Sequence, residues 1–219
     1  MTDVPYRKTI ETILHTFGES SVISLDLETI IERKSDFLTG EPIIAISLSY
    51  TLNGKIITDL LIAKDRTTAE EDRILSELDR RLADLRPGII IGYNQTGYDI
   101  PLLRIKMNRR SYSNQLWNLK RYLSTAYCPD MMYIIADDLY HFDGDYRLRK
   151  LSAVVVHPGY SELKLQRTKH LSMRDDMPVN VAIETMWREE PENFAAYCSG
   201  DTRDLIVIFF YIFLHRKLE

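Results

Sequence analysis

Asp26 and Glu28 form the only Asp-x-Glu in the chain. They sit in Val22–Glu28 (VISLDLE), whose alternation of apolar and polar residues predicts a strand. Successive side chains on a strand point to opposite faces, so both carboxylates share one face while Ile23, Leu25 and Leu27 take the other. Two acids on a core strand repel each other unless a cation lies between them; otherwise they are a solvated strand face. Asp99 heads the run Ile100-Pro101-Leu102-Leu103, as an N-cap or as a further functional acid. Tyr197 and Asp201 are four apart on a helical stretch and share a face, either as a site or as an ordinary exposed pair. Gly200 stands beside Asp201, where glycine costs about 1 kcal/mol relative to alanine. Close approach of another backbone, as when the helix packs on the Asp26 strand, would explain it. Taken together, Asp26, Glu28, Asp99 and Asp201 are hard oxygen donors without His or Cys, which suits Mg²⁺ or Mn²⁺ and not zinc. Two such ions roughly 4 Å apart can activate water and stabilise the leaving oxygen of a phosphodiester. The Tyr197 hydroxyl is placed to orient that water.

The elements that must position these residues are legible in part. After the first strand comes a loop with Arg33, Lys34, Asp36 and Gly40. Pro42–Leu52 and Lys55–Ala63 are apolar, β-branched runs joined by Asn53-Gly54, a hairpin signal. Thr67–Leu85 has Ile74, Leu78, Leu82 and Leu85 at helical spacing and stops at Pro87-Gly88. Gly88–Tyr93 (GIIIGY) suits a strand buried on both faces. Asp99 opens a helix with Pro101 in its first turn. Leu123–Cys128 reads as a fifth strand, and Leu148–Val156, Pro178–Arg188 and Pro191 to about His215 as helices. The expected fold is α/β: a mixed five-stranded sheet, antiparallel meander first and parallel strands after, with helices on both faces.

Length and composition narrow the class. The 219 residues fit one domain, 1–219, with no repeat or flexible linker inside it. The two cysteines, Cys128 and Cys198, show no metal-site spacing and point to a reducing cytoplasm. The first residues mix charge into their apolar positions, unlike a signal peptide, and the longest apolar run, Leu205–Leu214, is about half of a membrane span. Secreted, membrane, fibrous and disordered classes are excluded on these grounds.

The net charge of −4 gives no global sign of nucleic-acid binding, but its distribution does. Ile100–Pro129 contains no acid and holds Arg104, Lys106, Arg109, Arg110, Lys120 and Arg121, interleaved with Tyr112, Trp117, Tyr122 and Tyr127. The cations could track a phosphate backbone while aromatic rings stack bases. The alternative is a solvated basic helix face over core aromatics. Arg147, Arg149 and Lys150 form a second, weaker patch.

Three segments carry a family resemblance. Ser24-Leu25-Asp26-Leu27-Glu28-Thr29, the Gly92-Tyr93-Asn94 to Tyr98-Asp99-Ile100-Pro101 stretch, and Tyr197-Cys198-Ser199-Gly200-Asp201 resemble, in order, the three motifs of DEDD-type 3′–5′ exonucleases. The resemblance is strongest to the proofreading domains of family-B DNA polymerases. Tyr98 stands where that family usually has Phe. The histidine branch would have His where this chain has Ala196, and the tyrosine branch has Tyr where it has Tyr197, so the DEDDy subgroup is implied. The resemblance further implies a ribonuclease-H-like fold and two divalent ions, Mg²⁺ or Mn²⁺, on Asp26, Glu28, Asp99 and Asp201. It implies a water positioned by Tyr197, and substrate contacts from Leu27, Thr29, Asn94 and Tyr98. Arg109, Arg110 and Trp117 are added to the substrate set from the basic stretch. Lys150 and Lys169 are the positions open to a lysine that some members carry between the second and third motifs.

The expected activity is a stand-alone exonuclease releasing 5′-mononucleotides from single-stranded DNA or RNA 3′ ends, since polymerase palm and fingers do not fit in this length. A DNA polymerase or a replication or repair factor is the expected protein partner. The alternatives are a catalytically silent nucleic-acid or polymerase-binding module, and a structure-specific endonuclease or RNA-processing nuclease on the same fold.

Overall fold

The computed structural model describes residues 5–31, 38, 41–108, 115–166 and 179–215. Helix α1 (Pro5–Phe17) leads into β1 (Val22–Thr29), followed by β2 (Ile43–Leu52), β3 (Lys55–Ile62), α2 (Thr68–Leu85) and β4 (Ile89–Ile91). Then come α3 (Asp99–Met107), α4 (Trp117–Thr125), α5 (Met131–Asp143), the single turn α6 (Leu151–Val154), α7 (Val179–Glu189) and α8 (Pro191–Phe210). Among the described residues the sheet has four strands, in the order β3-β2-β1-β4. β1–β2 and β2–β3 pair antiparallel, and β1–β4 pair parallel.

The expected meander is present. Asn53 and Gly54 take left-handed φ angles of 52° and 72°, as a two-residue turn matched to strand twist requires. Thr67 Oγ1 accepts from the Glu70 amide at 3.3 Å to start α2, and Arg86, left-handed at φ 49°, ends it.

The fifth strand is not formed. Leu119, Tyr122 and Leu123 are buried at helical spacing, and α4 runs through Thr125. Between α4 and α5 the chain touches the sheet only through isolated parallel bridges, Ile89 to Tyr127 and Gly92 to Asp130. The helix expected over 148–156 shrinks to α6. α7 and α8 match their expected spans, with a π turn carrying the chain from Tyr211 to His215. The loop residues Arg33, Lys34, Asp36 and Gly40 lie outside the described residues.

Alternation sorts β1 between two layers. Ile23, Leu25 and Leu27 pack with Ile46 and Leu48 of β2 beneath α2, α3 and α4. The opposite face carries Ser24, Asp26 and Glu28 toward α8, whose packing on β1 and β2 is the main helix–sheet contact on that side. The acids therefore lie between β1 and α8. No described helix is long and apolar enough to cross a membrane.

Candidate active site

Register places the pieces. Asp26 lies opposite Ser47 on β2, and Glu28 opposite Ala45. Thr202 Oγ1 shares hydrogen bonds with Ser47 Oγ at 2.8 Å and Ser49 Oγ at 2.9 Å. This buried hydroxyl cluster pins α8 on β2 beside Asp26, and Asp201 is the next residue. One and two turns earlier, Cys198 and Phe194 are buried with Ala45, Ile30 and Ile44, and Tyr197 packs against that cluster. Four helical residues rise about 6 Å and two strand residues about 6.8 Å, so the steps from Thr202 to Cys198 and from Asp26 to Glu28 nearly match. The Tyr-x-x-x-Asp spacing on α8 is thus the helical counterpart of Asp-x-Glu on β1.

The electrostatics agree. Burial pushes the Tyr197 phenol above its ordinary value, and the charges of Glu28, Asp201 and Asp26 push it further. Cys198, fully buried, is raised by burial and by the same three carboxylates. Asp26, Glu28 and Asp201 therefore bear on one locus, and Tyr197 remains protonated there.

Asp99 arrives from the other edge of β1. β4 pairs with β1 only as far as Ser24, beyond which the β1 edge is open to the turn after β4. Gly92 passes so close that a Cβ there would stand 2.9 Å from the Leu25 carbonyl oxygen, which excludes any larger residue. The Leu27 amide then donates to Asp99 Oδ1 at 3.1 Å. Asp99 does not cap α3; that place is taken by Tyr98, without a side-chain cap bond. Its carboxyl is pushed up to about 7, first by burial and more weakly by the Asp130 charge, against the pull of the Leu27 and Asp99 amides. A carboxyl at 3% exposure, bonded to the backbone between Asp26 and Glu28, is an expensive arrangement for a fold to keep without use.

The expected substrate residues fare differently. Thr29 Oγ1 is hydrogen-bonded to the Tyr98 hydroxyl, so the tyrosine at that position ties the end of β1 to the start of α3. Asn94 is an exposed turn residue at φ 59°, its carbonyl accepting from the Gly97 and Tyr98 amides at 3.1 Å each. Trp117 is exposed, whereas Tyr122 is core. Lys106 leaves the basic set: it is fully buried, ion-paired with Glu71, and donates to the Glu41 carbonyl at 2.7 Å. Arg149 is paired with Asp143 and Arg147 with Asp145, so the second basic patch is largely neutralised. Arg109, Arg110, Tyr112 and Lys169 lie outside the described residues. Gly200 faces the Gln166 side chain, whose Oε1 would stand 2.3 Å from an added Cβ, and not the β1 backbone.

Sequence reasoning missed Asp130. Its Oδ1 accepts from the Asn94 amide at 2.9 Å and the Met132 amide at 3.1 Å; its Oδ2 accepts from the Thr96 hydroxyl at 2.7 Å. One carboxylate thereby caps α5 and holds the turn that delivers Asp99. Pro129-Asp130 before an apolar run was the available signal.

All four acids offer oxygen only, a donor set that fits a hard divalent cation, and the carboxylate charges that add to burial in raising Tyr197 and Cys198 are the charge such a cation would offset. Among the described residues, no three or more His, Cys, Asp or Glu side chains stand close enough together to hold a metal ion. The acids form a looser cluster than a closed metal site, and a surface groove of about 570 Å³ lined by Ile13, Phe17, Arg86 and Tyr127 includes none of them.

No protein-family model matches the chain, and no curated protein matches it. Among solved structures it is similar to the family B DNA polymerase of the hyperthermophilic archaeon Pyrobaculum calidifontis, with a TM-score of 0.62 and 18% identity. The match covers 87% of this chain and 24% of that polymerase. At this identity the likeness is one of fold: the mixed α/β arrangement also occurs within a portion of a DNA polymerase chain.

Proposed function

We propose that the protein is a metal-dependent 3′–5′ exonuclease of the DEDDy type on a ribonuclease-H-like fold, acting on single-stranded DNA or RNA ends. The observation that carries this is the joint pressure of Asp26, Glu28 and Asp201 on Tyr197, with Asp99 bonded to the Leu27 amide between the two strand acids. The likeness to a family B DNA polymerase is consistent with a role in nucleic-acid chemistry.

Asp26, Glu28, Asp99 and Asp201 would hold the divalent ions. When bound, Mg²⁺ or Mn²⁺ supplies Lewis-acid stabilisation of the phosphodiester and its departing oxygen. Tyr197, kept protonated by burial and by the surrounding carboxylates, donates a hydrogen bond that orients the attacking water. Glu28 and the backbone from Leu27 to Thr29 receive the terminal nucleotide. Tyr98 holds Thr29 in place through its hydroxyl, so the floor of the terminal-nucleotide site is fixed from α3.

Incubation of the purified protein with a 3′-labelled single strand and Mn²⁺ tests the reading. Release of 5′-mononucleotides, lost in Asp26→Ala, supports it; an intact strand, or equal cleavage by the variant, removes it. A circular single strand stays uncut by an exonuclease and is opened by an endonuclease. The looser spacing of the acids favours a second reading, a catalytically silent binding module on the same fold. That module would retain the strand without shortening it.

A further inference from the structure

Trp117 is 70% exposed at the first turn of α4, where an indole held in water needs a reason. Its direction is set by its neighbours: Asp79 of α2 accepts from the Leu119 amide at 2.8 Å and from the Asn118 side-chain amide at 2.9 Å. Asn118 and Leu119 are thus turned to α2, leaving Trp117 on the rim of a groove of about 330 Å³ between α3 and α4. Met107, Leu116 and Leu123 contribute its apolar lining, and Arg104 and Lys120 stand at its edge, both exposed. No acid lines it. Trp117 and Lys120 are three apart on one helix face. Arg104 lies five residues along α3 from Asp99, about 7.5 Å of helix rise.

We propose that this groove is a second binding site for the substrate strand, in which a base upstream of the 3′ end stacks on Trp117 while Arg104 and Lys120 take the adjoining phosphates. This deepens the nuclease reading and rests on it for the identity of the ligand. The charge of the groove is complementary to a polyanion, and its aromatic face accepts any base, so the preferred substrate is an unpaired strand of several nucleotides with little sequence preference. Trp117, Arg104 and Lys120 act in binding and touch no reacting atom.

The test is oligothymidylate binding to the full chain without added divalent ion, read by tryptophan emission and by anisotropy of a labelled strand. The chain has two tryptophans, and Trp187 donates its indole N–H to the Ala63 carbonyl at 2.9 Å, which supplies a background emission. The strand should quench wild-type emission and leave Trp117→Phe unquenched. Trp117→Ala should weaken binding about 5- to 150-fold, the range that base–aromatic stacking spans, and Trp117→Phe should retain most of it. Arg104→Ala with Lys120→Ala should flatten the salt dependence by about 1.4 in log–log slope, roughly 0.7 for each phosphate contact. Unchanged binding in Trp117→Ala, or no quenching of the wild type, overturns the proposal. Because no cleavage is measured, an inactive acid cluster would leave a positive result standing.

Discussion

The Leu27 amide donates to Asp99 Oδ1, so one edge of β1 is completed by a carboxylate and not by a neighbouring strand. That bond sets Asp99 between the two acids of β1 and buries it at the same time. Substituting Asp99→Asn keeps an acceptor oxygen for Leu27 and removes a charge that burial disfavours. The variant should be at least as stable as the wild type above pH 7 in thermal denaturation, yet lose about a hundredfold or more of its activity on a 3′-labelled strand.

The pH dependence of stability originates in the same carboxyl. Its folded value is raised to about 7 from 3.8, so between those values the folded state holds a proton that the unfolded chain has released. The stabilisation is complete below about pH 4, is lost as pH rises through about 7, and amounts to on the order of 4 kcal/mol. Urea denaturation in a metal chelator at pH 5 and pH 8 reads it directly. Mn²⁺ favours the ionised acid and should therefore raise the melting temperature more at pH 8 than at pH 5.

Thr202 holds α8 in register with β2 through Ser47 and Ser49. Thr202→Val preserves shape and strands the buried Ser47 hydroxyl, while Ser49 keeps its bond to Thr58 at 2.8 Å, at a cost of about 1–3 kcal/mol. Since the same bonds set Asp201 beside Asp26, activity should fall further than the stability loss explains. Comparing residual activity at a temperature where the variant remains folded separates the two effects.

Lys106 and Glu71 form a buried pair, and Glu71 also accepts from the Ile43 amide at 2.9 Å. Lys106→Met strands the Glu71 carboxylate and should cost about 3–5 kcal/mol in denaturant unfolding. The slope of oligonucleotide affinity against salt should not change, because this lysine faces the protein interior. A reduced slope would return Lys106 to the substrate surface.

The acids of β1 are legible in the sequence because strand alternation fixes their face, and the hairpin and α2 because their turn and cap residues act locally. Pro101 reveals the helix α3, but nothing local reveals the role of Asp99: a cap bond is local, whereas Leu27 is far away in sequence. Leu123–Cys128 misleads because a short apolar run fits a strand or a helix, and only packing of Leu119, Tyr122 and Leu123 under α2 decides between them. Gly200 does mark a close approach, but the neighbour is Gln166, whose position no local pattern encodes. Lys106 reads as a surface cation because burial of a lysine depends on a partner 35 positions away, Glu71. The helices α1 and α5 were not anticipated.

Mn²⁺ titration followed by calorimetry tests the central claim, that acids from β1, α3 and α8 form one cation site. The account predicts saturable binding to the wild type, greatly weakened by Asp26→Asn on the strand and equally by Asp201→Asn on the helix. Binding that survives either substitution unchanged, or no binding to the wild type, would contradict it.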